Sequence, residues 1–538
     1  MFPLPDKATV LLPFREAAPS NAPPLRVGVV LDRGRPSRWV DALLTFLRGM
    51  PGIDVRLLEY TGRRQAKSER PGWLMDRLYA ASRARFDPFA DADGDRTDAG
   101  VVGSVEEIRA AKCGVLIWFA GTADFSVEPG SLAECGAFTV RLGERNQLVP
   151  FWYEVSNDCV TSTVTVFWHD SSFLDGHAVC TAETPTERGL YFTRNAEAPL
   201  VAAIRMLATL CLEIGQGGSG YREKLRGLPS EPVNGPAAPD HPSTFEVGRF
   251  IARKLARSAR QRSTTRGKRP RWFLAARPNS GVGIWDPARL NLSGFKEVPS
   301  PPGSETMADP FLAECAGRTY LLFEEAPATS HRGRQGCIEV LADGAYSEMK
   351  VVLECGYHVS YPCVVPAGGE FFLLPEAAEA GRVDLYRFTR FPWEVELVSS
   401  LVEGLPLVDT TPIFLNGRWY FFTSTVEPFM ETLLFSADRL DGAWHLHPAS
   451  PVSRSVRNSR SAGNLWWKNG RLFRPTQDCS VRYGFAIQVN EVLRLTPDEF
   501  EERPVSHILP SWMPGLVGTH TWNETASFQV IDGLRSQG

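Results

Sequence analysis

Two hydrophobic rhythms divide this chain. Up to about residue 215, short apolar runs alternate with amphipathic stripes. LRVGVVLD (25–32) reads as a strand ending at Asp32, and the next segment sets Trp39, Leu43, Leu44 and Leu47 on one helical face. IDVRLLEY (53–60) predicts a second strand, and SVEEIRAAKCGVLIWFAG (104–121) a helix followed by a buried strand. Ser104 and Glu107 form a capping-box pair, in which hydroxyl and carboxylate satisfy each other's free backbone N–H groups. Strand and helix in alternation argue for a parallel α/β sheet. The strand-end loops at 31–36 and 120–125 would then face a crevice. No GxGxxG follows the first strand, so a dinucleotide site has no support. Further on, STVTVFWHD (162–170) alternates like a strand and APLVAAIRMLATLCLEI (198–214) is a helix.

From Trp272 onward the pattern changes to short aromatic-rich strands with Gly or Asn-Gly turns between them. Asn416-Gly417 and Asn469-Gly470 are type I′ hairpin signals. Gly317, Gly369, Gly417 and Gly470 each introduce such a strand, at spacings of 52, 48 and 53 residues. A period near fifty, with several strands per unit, predicts a propeller rather than a sandwich. Four repeats, plus segment 272–300 and the C-terminal strand, predict five blades, one closed by both chain ends.

The segment 226–245 holds five prolines and two glycines and reads as a linker. After it, ten Lys/Arg and no acid lie between Arg249 and Arg271, a candidate contact for an anionic membrane surface or a solvated basic helix. Four divisions follow: an extension at 1–24, an α/β domain at 25–225, linker and basic segment at 226–271, and a propeller at 272–538.

Composition narrows the chemistry. Hydrophobic residues are 43% and charged residues 22%, which suits folded domains and excludes a mostly disordered chain. The net charge of −4 offers no footprint for nucleic acid, which is not expected as a partner. None of the ten cysteines is spaced C-x-x-C, so no metal or cofactor is expected, and reduced thiols suit a cytoplasmic protein. Pro13 and Arg15 interrupt the N-terminal apolar stretch, so no signal peptide is expected, and no apolar run reaches the roughly 18–20 residues that span a bilayer. G-x-S-x-G and the P-loop motif do not occur.

A propeller gathers its innermost strands around one channel, so polar residues just before those strands converge. Asp309, His358, Tyr361, Asp409 and Arg460 recur at that position in four repeats. Glu324, Glu325 and Glu376 follow the next apolar strands. Asp309 with Glu376 would supply the carboxyl pair that glycosyl transfer or hydrolysis needs. Arg474, Gln477 and Asp478 are either a hydroxyl-binding group or a buried network closing the last blade. His520 and Trp522 lie beyond them.

ADPFL, FEE, HVSYP, LLPE, DTTPIFLNGRWYFFT, RSAG, RPTQDCSVRYG and GTHTWN, in that order, resemble the N-terminal region of plant glucosamine inositolphosphorylceramide transferases, which bacterial two-domain proteins share. That propeller is similar to those of furanosidase-type glycoside hydrolases. The resemblance implies glycan chemistry with Asp309 as a first-blade acid. A sugar, nucleotide sugar or glycolipid is the expected partner, in surface-glycan or glycolipid biosynthesis. Residues 25–215 more weakly resemble the formyltransferase fold. That family's G-x-x-N-x-H motif has Gly136 here, but Thr139 and Arg141 where Asn and His belong, and Asp175 stands for its Asp. A degenerate formyltransferase-like parallel-sheet domain is therefore expected before the five-bladed β-propeller, with Arg141 free to hold an anion. Folate-dependent formylation of an amino sugar and non-catalytic glycan binding are the alternative functions.

Overall fold

The computed structural model describes residues 23–536, apart from 33–35, 61–72, 93–99, 102–103, 120–127, 145–148, 174, 229–241, 265–269, 282, 289 and 342–343. The proposed crevice loops and most of the proline-rich linker lie outside the described residues. The chain forms two compact units, Met1–Thr264 and Thr265–Gly538.

The first unit holds β1 (Leu25–Asp32), α1 (Arg38–Arg48), β2 (Ile53–Tyr60), α2 (Trp73–Arg83), β3 (Gly100–Val101), α3 (Val105–Ala110), β4 (Val115–Trp118), β5 (Ala137–Leu142), α4 (Trp152–Ser156), β6 (Thr161–His169), β7 (His177–Pro185), α5 (Glu197–Arg226) and α6 (Thr244–Thr264). One sheet runs in the order β3-β2-β1-β4-β5-β6-β7. The first five strands are parallel. β6 runs antiparallel to both its neighbours, so the sheet is mixed where a parallel one was expected. For β6 and β7 the reason is connection length. Residues 170–176 join β6 to β7, whereas a parallel crossover needs roughly a dozen residues.

The Ser104–Glu107 capping box forms as expected, and α3 sets Ile108 against Val30, Leu58, Leu116 and Trp118. α5 packs along β5, β6 and β7, with Gly215 beside Leu25, on the sheet face opposite Val30. The stretch Phe192–Gly217 is long and apolar enough to cross a membrane, contrary to the expectation that no such run exists. Here 78% of its most apolar 18-residue window is buried inside its unit, and it serves as the core helix. All ten cysteines are free thiols.

α6 carries the start of the basic segment. Val247 and Phe250 join Met75, Leu78 and Trp152 in one apolar cluster. Lys254 is buried and meets Asp158, with Arg253 and Arg257 on the same carboxylate. Three of the segment's cations are thus engaged within the unit.

The second unit opens with β8 (Arg271–Pro278) and β9 (Lys296–Glu297). Blade 1 is β10 (Ser304–Cys315), β11 (Arg318–Pro327), β12 (Arg334–Val340) and β13 (Lys350–Leu353). Blade 2 is β14 (Ser360–Ala367), β15 (Glu370–Glu376), β16 (Arg382–Arg390) and β17 (Glu394–Glu403). Blade 3 is β18 (Leu407–Leu415), β19 (Arg418–Thr425), β20 (Thr432–Ala437) and β21 (His445–Leu446). Blade 4 is β22 (Arg460–Ser461), β23 (Trp466–Lys468), β24 (Arg471–Asp478), β25 (Ala486–Leu495) and β26 (Phe500–Ile508). Blade 5 joins β27 (Leu516–Gly518), β28 (Trp522–Glu524) and β29 (Phe528–Arg535) to β8 and β9. The ring closes where β29 pairs with β8 in eight residue pairs, from Phe528↔Pro278 to Arg535↔Arg271.

Four hairpins use two consecutive residues at positive φ: Ala316-Gly317, Gly368-Gly369, Asn416-Gly417 and Asn469-Gly470. That is the type I′ requirement, and it fixes the register of the two inner strands in each blade. The five-bladed propeller is the architecture its repeat period predicted.

The Lys254–Asp158 contact carries a stability asymmetry. Burial would raise the Asp158 carboxyl, but Lys254 and the two arginines outweigh it and hold it below the usual range. Asp158→Ala leaves a buried ammonium without its acceptor and is expected to cost about 2 kcal/mol. Lys254→Met removes the charge with its desolvation and is expected to cost under about 1 kcal/mol. Chemical denaturation of the two variants checks the order.

A candidate active site in the propeller channel

Each of the first three innermost strands bulges at one place. The register jumps between Ala308 and Phe311 in β10, Ser360 and Cys363 in β14, and Val408 and Thr411 in β18. The residue at each bulge is left-handed: Asp309 at φ 51°, Tyr361 at 47° and Asp409 at 53°. Non-glycine residues resist this conformation, and bulges of this kind re-aim a side chain. The partner strand supplies a second recurring position. Glu324 lies opposite Ala308, Glu376 opposite Ser360, Ser424 opposite Val408 and Gln477 opposite Arg460. Four blades therefore deliver polar groups to one axis, three of them in two tiers.

Asp409 accepts from Arg460 Nε at 2.6 Å and from Gln477 Nε2 at 3.1 Å. Arg460 also reaches Glu376 at 3.7 Å and lies over the Tyr483 ring, 4.9 Å from its centroid. This ties blades 2, 3 and 4 together. Burial, then the nearby Asp409 charge, pushes the Glu376 carboxyl well above the usual carboxylate range. Both influences favour the protonated form of Glu376.

Across the channel, Thr521 donates to Asp309 Oδ1 at 2.7 Å. Among the described residues, Asp309 Oδ2 has no donor. Burial, opposed by His520, lifts Asp309 to about 6. Glu324 rises to about 8 through burial and the charge of Asp309. His358 Nδ1 accepts from the Gly333 N–H at 3.0 Å, so a neutral imidazole carries its proton on Nε2, which faces Glu324 at 3.3 Å. His520 stacks on Trp272 at 3.9 Å, and its Nδ1 meets Asp532 at 2.5 Å. Burial works against its charge, yet Asp532 and Asp309 prevail and raise His520 to about 9. Asp309, His520 and Asp532 hold ligand atoms within 4.8 Å of one another, a set able to take a cation. In this structure imidazolium and carboxylate neutralise each other instead.

Of the sequence-predicted residues, Asp309, Glu376, Asp409, Arg460, Gln477 and His358 converge here. Tyr361 does not present a free group. It is fully buried, takes the Gly463 N–H at 2.8 Å and shares a bond with Thr411 at 2.8 Å, so it ties blades 2, 3 and 4. Arg474 and Asp478 point elsewhere. Arg474 bonds Glu502 through Nε at 2.8 Å and through its second nitrogen at 2.6 Å. Asp478 takes the Ser480 N–H at 2.9 Å and His507 at 3.1 Å. Strand alternation puts these two on one face of β24 and Gln477 on the other. The network reading of RPTQD therefore applies to Arg474 and Asp478.

Sequence reasoning missed Asp532 and Tyr483. Asp532 sits mid-strand in VIDGLR, where its Asp-Gly pair reads as a turn although the strand runs through it. Tyr483 is 44% exposed and packs edge-on to His520 at 5.5 Å, the ring most open to a ligand beside the acids. Its signal was an aromatic within the polar RPTQDCSVRYG segment.

The family described as glucosamine inositolphosphorylceramide transferase 1, N-terminal, matches residues 293–532, which include every channel acid named above. The glucosamine inositolphosphorylceramide transferase 1 of Oryza sativa subsp. japonica is 30% identical over 241 residues, 43% of this chain and 32% of that protein. Its counterpart in Arabidopsis thaliana is 29% identical over 231 residues, 41% of this chain and 29% of that protein. The aligned part thus spans about a third of these relatives. Among solved structures, the α-L-arabinanase of Cellvibrio cellulosa with arabinohexaose is 10% identical, covering 37% of this chain and 77% of its own, at a TM-score of 0.30. A family 117 glycoside hydrolase of Zobellia galactanivorans is 11% identical, covering 42% and 84%, at a TM-score of 0.32. At such scores the five-bladed assignment rests on this chain's own sheets.

The channel makes stability depend on pH. Asp309, Glu324 and His520 all have folded-state values above their ordinary ones. Each contributes stability that is present below its unfolded value and lost as pH rises through its folded value. The propeller is expected to lose stability steadily from about pH 4 to pH 9, and Glu324→Gln to flatten the part between about pH 4.5 and pH 8. Urea titrations across this range decide it, and stability rising with pH would refute the charge assignment.

Proposed function

We propose that the propeller channel binds a glycan or glycolipid headgroup and makes or breaks a glycosidic bond. The observation that carries this reading is the pairing of Glu376, whose carboxyl is pushed up by burial and the Asp409 charge beside Arg460, with Asp309, whose Oδ2 has no donor among the described residues and whose carboxyl is lifted to about 6 by burial. Glu376 donates its proton to the glycosidic oxygen. Asp309 takes a proton from the attacking water or acceptor hydroxyl. Asp409 and Arg460 keep Glu376 in place, and Tyr483 offers its exposed ring to a sugar face. The 30% identity over 241 residues to a protein named glucosamine inositolphosphorylceramide transferase 1 supports a carbohydrate ligand.

A second reading belongs to the first unit, as a formyltransferase-like scaffold that has lost its chemistry. What favours loss is Thr139, which bonds His169 at 2.8 Å in a buried pair, while Asp175 is exposed. Formyl transfer needs a base and an oxyanion donor beside the amine, and Arg141 stays protonated.

The test is turnover of a glycan and nucleotide-sugar panel, with thermal shift as the binding readout. Asp309→Asn and Glu376→Gln are each expected to lower kcat at least about a hundredfold while the fold persists. Tyr483→Ala is expected to raise KM several-fold with kcat nearly kept. For the wild type, kcat/KM should fall as pH drops below about 6, where Asp309 gains its proton. A full rate in Asp309→Asn would remove the catalytic assignment, and ligand binding without turnover would leave a glycan-binding scaffold.

A further inference from the structure

Among the described residues of the first unit, one cation has no answering acid. Arg141 lies near the end of β5 and is half-buried. Its guanidinium rests over the Phe167 ring, 4.9 Å from the centroid. Nε is shielded from water and has no hydrogen-bond partner. Among the described residues no acid pairs with it. The neighbouring acids are turned to other partners. Glu154 lies beside Gly143 and accepts the Glu144 N–H at 2.7 Å. Glu183 shares a row with Thr163, while Arg141 leans the other way, toward Phe167. Asp170 is taken by Arg222 and Arg226.

The surroundings of Arg141 are polar and ordered. β5 and β6 pair as Ala137↔His169, Thr139↔Phe167 and Arg141↔Thr165. Alternation therefore sets Thr139, Arg141, Thr165, Phe167 and His169 on one sheet face. Ala137 marks that face as the one α3 covers over β1, β2 and β4. The helix packed on β5, β6 and β7 is α5, and it takes the other face. Thr139 and His169 hold each other at 2.8 Å, and Thr165 meets Thr181 at 3.2 Å, so the hydroxyls and the imidazole are fixed before any ligand arrives. Burial holds the Arg141 guanidinium below its usual range, the cost of an ion without a counter-ion.

We propose that Arg141, together with Thr139, Thr165 and His169, forms a binding site for a small oxyanion, the phosphate or carboxylate group of a soluble ligand. A guanidinium with a free edge takes such groups through paired N–H donors, and the flanking hydroxyls fix the remaining oxygens. The site lies in the first unit and is independent of the propeller chemistry.

The experiment is calorimetric titration of the full chain with sodium phosphate and, separately, sodium acetate. Saturable binding of at least one is expected: phosphate points to a phosphorylated ligand, acetate to a carboxylate. At a concentration one hundred times the dissociation constant, the bound anion should raise the folded-to-unfolded ratio of the first unit about a hundredfold. Arg141→Met should weaken binding at least about tenfold, Arg141→Lys should weaken it less, and Asp309→Asn should leave it unchanged. Without anion, Arg141→Met should melt no lower than wild type, because it removes an uncompensated ion. Absent saturable binding of both anions, or undiminished binding in Arg141→Met, would overturn the site. A lower melting temperature in Arg141→Met would overturn it too, since the guanidinium would then be holding the fold.

Discussion

The channel depends on one carboxylate that water does not reach. Asp532 is fully buried on β29. One of its oxygens takes the backbone N–H of His520 at 2.8 Å and of Thr521 at 3.0 Å. The other takes the Asp309 N–H at 3.3 Å and faces the His520 ring. Asp532 thereby fixes the backbone at the first bulge, the side chain that donates to Asp309, and the cation that limits how far burial raises Asp309. Without it, a left-handed Asp309 would be both strained and unsupported.

The rest of the site follows from crowding like charges around few cations. Asp309, Glu324, Glu376 and Asp409 share the channel with Arg460 and His520. Burial and crowding raise Asp309, Glu324 and Glu376 above the usual carboxylate range, which destabilises the fold at high pH but favours acids able to donate. The bulges add strain of about 1–3 kcal/mol each. Cross-blade ties offset it: Tyr361 bonded to Gly463 and Thr411, and Asp409 bonded to Arg460 and Gln477. A propeller suits such a site because every blade braces its neighbours.

Much of this was legible in the chain. The Asn-Gly turns and their period near fifty fixed the blades, because type I′ chemistry is local and needs only two residues. Asp309, Asp409 and Arg460 were found because they precede an inner strand in phase. The phase could not say which way each side chain points. Tyr361 shares the bulge position with Asp309 and Asp409 yet is spent on blade ties. Arg474 and Asp478 neighbour Gln477 in sequence but lie across the strand from it. Asp532 is a partner contributed from a distant strand, and nothing local marks it. In the first unit, five strands followed the parallel pattern. The reversal from β6 to β7 turned on the short loop between them, which hydrophobic periodicity does not weigh.

The joint between β8 and β29 also sets a timetable. Arg277 bonds Gln529 across 252 residues. At roughly 5–20 residues per second, a ribosome needs about 10–50 s to deliver the partner after β8 has emerged. Blades 1 to 4 pair within themselves as they appear, but β8 waits as an open edge, and such edges invite pairing with other chains. Asp309 waits as well, since Thr521 and Asp532 arrive with the same last blade. The nascent propeller thus has no finished channel until its ring is closed, and its period of greatest exposure to misassembly coincides with the period in which its acids are unarmed.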